Sequence, residues 1–80
     1  MKLAEQLAAH PRYPKPAPEL DDDATAGCLL LMLSRSTSKL TSAIETADGW
    51  TVDVHNRVEE HGDTLGEASA RALLVLWGQE

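Results

Sequence analysis

Apolar and polar positions alternate from Trp50 to His55, with Trp50, Val52 and Val54 on one side and Thr51, Asp53 and His55 on the other. A period of two is that of a strand with one buried and one wet face. With the turn dipeptide Asp48-Gly49 in its middle, the stretch from Ser42 to His55 therefore predicts a β-hairpin. A two-residue loop at Asp48-Gly49 would set Ile44 opposite Asp53 and Glu45 opposite Val52, which sends an apolar side chain to the wet face and a carboxylate to the dry one. A three-residue loop, Ala47-Asp48-Gly49, sets Ile44 opposite Val52 and Glu45 opposite Thr51 and keeps the faces consistent. This register is the expected one, with Gly49 taking a positive φ at the end of the loop.

Helical spacing governs the flanks. In residues 1–10, Leu3 and Leu7 stand at i, i+4 among Ala4, Ala8 and Ala9, a short amphipathic helix that Pro11 stops. A helix this short is marginal alone, so it must dock through its leucines. Pro11, Pro14, Pro16 and Pro18 impose an extended connector over 11–20. The Pro11 and Pro14 spacing also fits a P-x-x-P docking ligand, but such matches are common by chance and the segment reads as a rigid connector. Asp21, Asp22 and Asp23 supply an N-cap and complement the positive end of a helix over 23–35. That helix is apolar nearly all round, with Cys28, Leu31 and Met32 on one side and Leu29, Leu30 and Leu33 on the others. It is expected to be the central helix, covered on more than one side, with Cys28 a small core residue.

The hydroxyl residues Ser34, Ser36, Thr37 and Ser38 end the helix, and the sheet occupies 39–60. Asn56 to Glu60 is expected as a third short strand after a turn at His55-Asn56, in preference to a continuation of the second. Thr64-Leu65-Gly66-Glu67 has the spacing of a capping box and opens a last helix over 64–77. Its core stripe is expected to be Leu65, Ala68, Ala72, Val75 and Leu76, with Leu74 on the opposite side. The fold class is then α+β, one small domain running helix, helix, strand, strand, third strand, helix, with the helices on one face of an antiparallel sheet.

Composition narrows the chemistry. A core drawn from 80 residues leaves a net stability of roughly 3–5 kcal/mol. Cys28 is the sole cysteine, so no intrachain disulfide forms and a cytosolic setting fits. The apolar run from Cys28 to Leu33 is far too short to span a bilayer, so a soluble protein is expected, without a membrane partner. Thirteen acidic against seven basic residues give a formal charge of −6, which argues against direct nucleic-acid binding and allows a basic partner. The same acidity also serves solubility alone. His55, Glu59 and His61, with Asp53, are the raw material for a metal site or proton exchange. No Ser/His/Asp or Cys/His pairing and no glycine-rich phosphate loop accompanies them, so neither catalysis, a cofactor nor a metal is expected.

The run Asp23-Ala24-Thr25-Ala26-Gly27-Cys28-Leu29-Leu30, the strand opening at Trp50, and Thr64-Leu65-Gly66-Glu67-Ala68-Ser69-Ala70-Arg71-Ala72-Leu73-Leu74 resemble small phage-encoded proteins of the α-β-α sandwich type. With its start, Met1-Lys2-Leu3-Ala4-Glu5, and its acidic balance, the chain also resembles phage anti-CRISPR proteins directed at a type I-C surveillance complex, or Cascade. Ser69 departs from the apolar residue expected on the inner face of the last helix. The resemblance implies a monomeric, stoichiometric inhibitor in the cytoplasm of the infected bacterial host, binding complex subunits with a basic DNA-binding surface and keeping them from DNA. Its candidate partner-binding residues are the carboxylates Glu45, Asp53, Glu59 and Glu60, expected outward on the sheet, with Asp48 and Asp63. A phage structural or assembly component, or another non-catalytic protein-binding module, is the alternative.

Overall fold

The computed structural model describes residues 2–14, 16–37, 39–55 and 57–79. Six elements follow one another: α1 (Leu3–Ala8), α2 (Asp23–Arg35), β1 (Thr41–Thr46), β2 (Gly49–Val54), β3 (Val58–Gly62) and α3 (Leu65–Gln79). The strands form one antiparallel sheet in the order β1-β2-β3. The fold class, the third strand and the element order are those the sequence predicts. Ser38 of the hydroxyl run, and Asn56 of the expected turn before β3, lie outside the described residues.

Local chemistry explains the helix starts. The Asp22 carboxylate accepts the backbone N–H of Thr25 at 2.9 Å and its hydroxyl at 3.0 Å, so the middle aspartate of the triplet is the N-cap of α2. At α3 only half of the capping box closes. The Thr64 hydroxyl accepts the Glu67 N–H at 3.1 Å and itself donates to the Leu20 carbonyl at 2.8 Å. The Glu67 carboxylate turns forward instead, to Arg71 one turn on, at 2.7 Å. That pairing favours Glu N-terminal to its cation on the helix face. Gly66 completes the join between connector and α3, because a Cβ there would collide with the Leu20 carbonyl oxygen.

Two expectations about packing are corrected. The central helix is α3, not α2. α3 lies against β2 and β3, and both α2 and α1 pack on it. Its Ala68, Ser69, Ala70, Ala72, Leu73, Leu76 and Trp77 are all buried. The burial runs round most of the helix because three neighbours enclose it, and the small residues let them approach closely. Val75, assigned to the core stripe, is exposed, and Leu65 is half-buried. Leu74, assigned to the opposite side, is half-buried against the core. α2 buries one stripe, Ala26, Leu29 and Leu33, and leaves Cys28 exposed and Leu31 53% exposed. Because α2 packs on α3 through this one stripe, it needs no second covered side.

The hairpin register is the second correction. Thr46 pairs with Gly49 across Ala47-Asp48, which places Ala43 opposite Val52, Ile44 opposite Thr51 and Glu45 opposite Trp50. Neither pairing weighed from the sequence occurs. Ile44 therefore stands on the face away from the helices, 62% exposed, and Ala43 occupies the inner position beneath α2. Gly49 does take a positive φ, 134°. Close approach adds to that requirement for glycine, since a Cβ at Gly49 would also collide with the carbonyl oxygen of Gly62 at the end of β3.

The connector contributes more than rigidity. Tyr13 is buried in the core, and the His10 and Trp77 rings lie 4.7 Å apart at 32°, anchoring the end of α1 to the end of α3. Leu7, fully buried, holds α1 in place as the amphipathic reading requires.

Candidate interaction surface

α3 packs on the inner face of the sheet, the face of Val52 and Val54, and α1 and α2 pack in turn on α3. Register fixes which side chains occupy the other face: Ser42, Ile44 and Thr46 from β1, Thr51 and Asp53 from β2, and Glu59 and His61 from β3. None of these is Lys or Arg. Asp53 and Glu59 are direct cross-strand partners, so two carboxylates stand side by side on an uncovered face. Among the described residues neither forms an ion pair. Like charges directly opposite on a sheet destabilise it, so this pair does nothing for the fold.

The six carboxylates expected to act together divide into three groups. Asp53 and Glu59 share the open face. Asp48 in the β1-β2 turn and Asp63 after β3 lie at one end of the sheet, where Gly49 meets Gly62 and Asp63. Glu45 and Glu60 do not point outward as expected. Glu45 shares the side of its partner Trp50, and Glu60 that of its partner Val52. Glu45 stays exposed because β1 is an edge strand, whereas Glu60 is half-buried in a cleft of about 420 Å³ with Leu3, Gln6, Arg71 and Leu74. The misassignment follows from the register, since a shift of one residue exchanges the faces of a strand.

His61 is the residue on the open face with the most partners. Its Nδ1 lies 3.1 Å from the Thr51 hydroxyl, and its Nε2 lies 3.3 Å from the Asp48 carbonyl oxygen. The Arg71 guanidinium donates to its backbone carbonyl at 2.7 Å, tying β3 to α3. The imidazole thereby holds the β1-β2 turn over β3. His55 sits in the turn after β2, exposed. Among the described residues no three His, Cys, Asp or Glu side chains gather at metal-holding distance.

A second concavity, of about 360 Å³, runs between the proline-rich connector and α2, lined by Tyr13, Pro16, Pro18, Ala24, Cys28 and Leu29 among others. Burial pushes the Tyr13 phenol up from its ordinary value, and Cys28 nearby adds to the shift. A phenol that stays protonated through neutral pH does not act as a base there. At the start of α2 the Thr25 backbone N–H, and then its hydroxyl, hold the Asp22 carboxylate below the usual range. This is cap chemistry. No helix among the described residues is long and apolar enough to cross a membrane.

No protein-family model, curated protein sequence or solved structure matches this chain.

Proposed function

We propose that this chain is a non-catalytic binding protein whose uncovered sheet face, centred on Asp53 and Glu59, engages a Lys- and Arg-rich protein surface. The observation that carries the reading is the placement of these two carboxylates opposite each other, with no Lys or Arg among the described strand residues that share their face. The arrangement costs folding free energy in the isolated protein, and a basic partner removes that cost on binding. Asp48 and Asp63 extend the negative surface at one end. The net charge of −6 steers such a partner from a distance.

The partner proposed is the DNA-binding surface of a type I-C surveillance complex. Support for that identity is the resemblance of the chain, with its start Met1-Lys2-Leu3-Ala4-Glu5 and its acidic balance, to phage anti-CRISPR proteins. The mechanism needs only electrostatic complementarity, because a surface that neutralises DNA phosphates also attracts a compact array of carboxylates. Occupation of that surface by this protein and by DNA is then mutually exclusive. The test is co-purification with a type I-C complex, followed by a DNA-binding assay at rising salt. Stoichiometric capture with loss of DNA binding, weakening as salt screens the attraction, is the expected result. A complex that binds DNA undisturbed in the presence of excess protein would reject this partner.

A further inference from the structure

We propose that the free edge of β1 is a strand-addition site, which takes an extended segment of another polypeptide, with apolar residues alternating with Lys or Arg, as a fourth strand. The site is the rim of the sheet beneath α2, and its backbone groups stand apart from the carboxylate face, of which only Asp53 enters, in the choice of occupant.

The backbone supplies the first argument. The His55 N–H donates to the Leu40 carbonyl at 2.9 Å, so Leu40 and His55 are a hydrogen-bonded pair of the ladder. Such pairs alternate along antiparallel strands, and Ser42, Ile44 and Thr46 therefore turn their backbone groups to β2. Thr41, Ala43 and Glu45 turn theirs outward, and no described element pairs with them. Three N–H and three C=O groups in a row make a template for another strand.

The second argument is the shape above that edge. The stripe Gly27, Leu30, Leu31 and Ser34 of α2 faces Thr41, Ser42 and Ala43 across a cleft of about 220 Å³. A strand added beside β1 would place every second side chain against this stripe, where Leu31 is 53% exposed. The Thr41 hydroxyl oxygen is buried in the same place without a hydrogen-bond partner among the described residues. A buried hydroxyl without a partner is costly, and a neighbouring polypeptide can supply one.

Charge selects the occupant. The alternate side chains of the added strand emerge on the open face beside Ser42 and Ile44. Asp53 lies two strand spacings away, about 10 Å, which is about one Debye length at physiological salt. Glu45 and Asp48 mark the turn end of the edge as acidic, whereas Lys39 stands at the other end, so the cations of the segment belong toward the turn. A second copy of this chain would bring another net charge of −6 to the same edge. A basic segment is favoured for that reason.

The probe is a synthetic peptide alternating valine and lysine, added to the ¹⁵N-labelled protein while amide hydrogen exchange is followed. Protection of the Thr41, Ala43 and Glu45 amides by at least about tenfold, with the Ser42 and Ile44 amides unchanged, is the result expected for strand addition. Glu45→Pro removes one outward N–H and leaves the ladder to β2 intact, so peptide affinity should fall by about tenfold or more. Glu45→Gln keeps that N–H and should weaken binding less. A peptide alternating valine and glutamate should not bind. Unprotected Thr41, Ala43 and Glu45 amides at saturating peptide would overturn the proposal. Concentration-dependent self-association of the free protein, lost in Glu45→Pro, would also overturn it by assigning the edge to a second copy.

Discussion

Ser69 is the residue where sequence and packing conflict most. Its side chain is fully buried in the middle of α3, and its hydroxyl has no hydrogen-bond partner among the described residues. An unsatisfied buried hydroxyl carries a desolvation penalty of about 1–3 kcal/mol. Ser69→Ala removes the hydroxyl and improves helix propensity, so urea unfolding should show a gain of about 1 kcal/mol or more. A loss of stability would mean that the hydroxyl is satisfied. Asp22 is the opposite case, a polar residue whose partners were legible. Its folded-state pKa is lowered by the Thr25 hydrogen bonds, so the cap stabilises above the ordinary aspartate range and this contribution disappears as the carboxylate protonates. Melting curves of Asp22→Ala should lie clearly below wild type at pH 7 and converge with it as pH falls below about 4 and toward 2. A gap that persists at pH 2 would show that the carboxylate is not what holds the helix start.

Among the elements, the order, the types and most boundaries were legible because caps, prolines and periodicity are local signals. The limits of α2 and the half-closed box at Thr64 follow from residues three positions apart. What a local signal does not carry is which helix sits in the middle. α2 is the more uniformly apolar to the eye, yet it packs on α3 with one stripe and is not the helix that lies on β2 and β3. The readable clue was the density of small residues in α3, Ala68, Ser69, Ala70 and Ala72, which permits neighbours on three sides. The burial of Tyr13 is illegible for a related reason, since a lone aromatic among prolines gives no periodicity. The register is not legible because alternation alone points Ile44 inward. The inner position beneath α2 takes Ala43 instead. These assignments predict that Leu33→Ala and Leu73→Ala, each truncating a fully buried side chain, cost about 2–5 kcal/mol. Leu31→Ala, at a side chain 53% exposed, should stay within about 0.5–1 kcal/mol of wild type. Equal losses at Leu31 and Leu33 in denaturant titrations would return α2 to the centre of the fold.

For the molecule as a whole, a helical layer covers one sheet face and leaves the other to carboxylates. The candidate surface was half legible. The acidic balance and the strand alternation located Asp53 and Glu59 on a wet face. The register moved Glu45 and Glu60 to the other side, where they contribute little to an interface on the open face. Stability and binding therefore respond in opposite directions at one pair of residues. In Asp53→Asn/Glu59→Gln the cross-strand repulsion is gone, so the folded state should gain about 0.2–1 kcal/mol. The same substitutions remove the centre of the proposed interface. The most direct test is the inhibition of DNA binding by a purified type I-C surveillance complex, titrated with wild type and with this double variant, whose melting curve is recorded alongside. The account predicts a variant at least as stable as wild type whose half-inhibitory concentration is higher by about tenfold or more. Inhibition by the folded variant equal to that of wild type would contradict it.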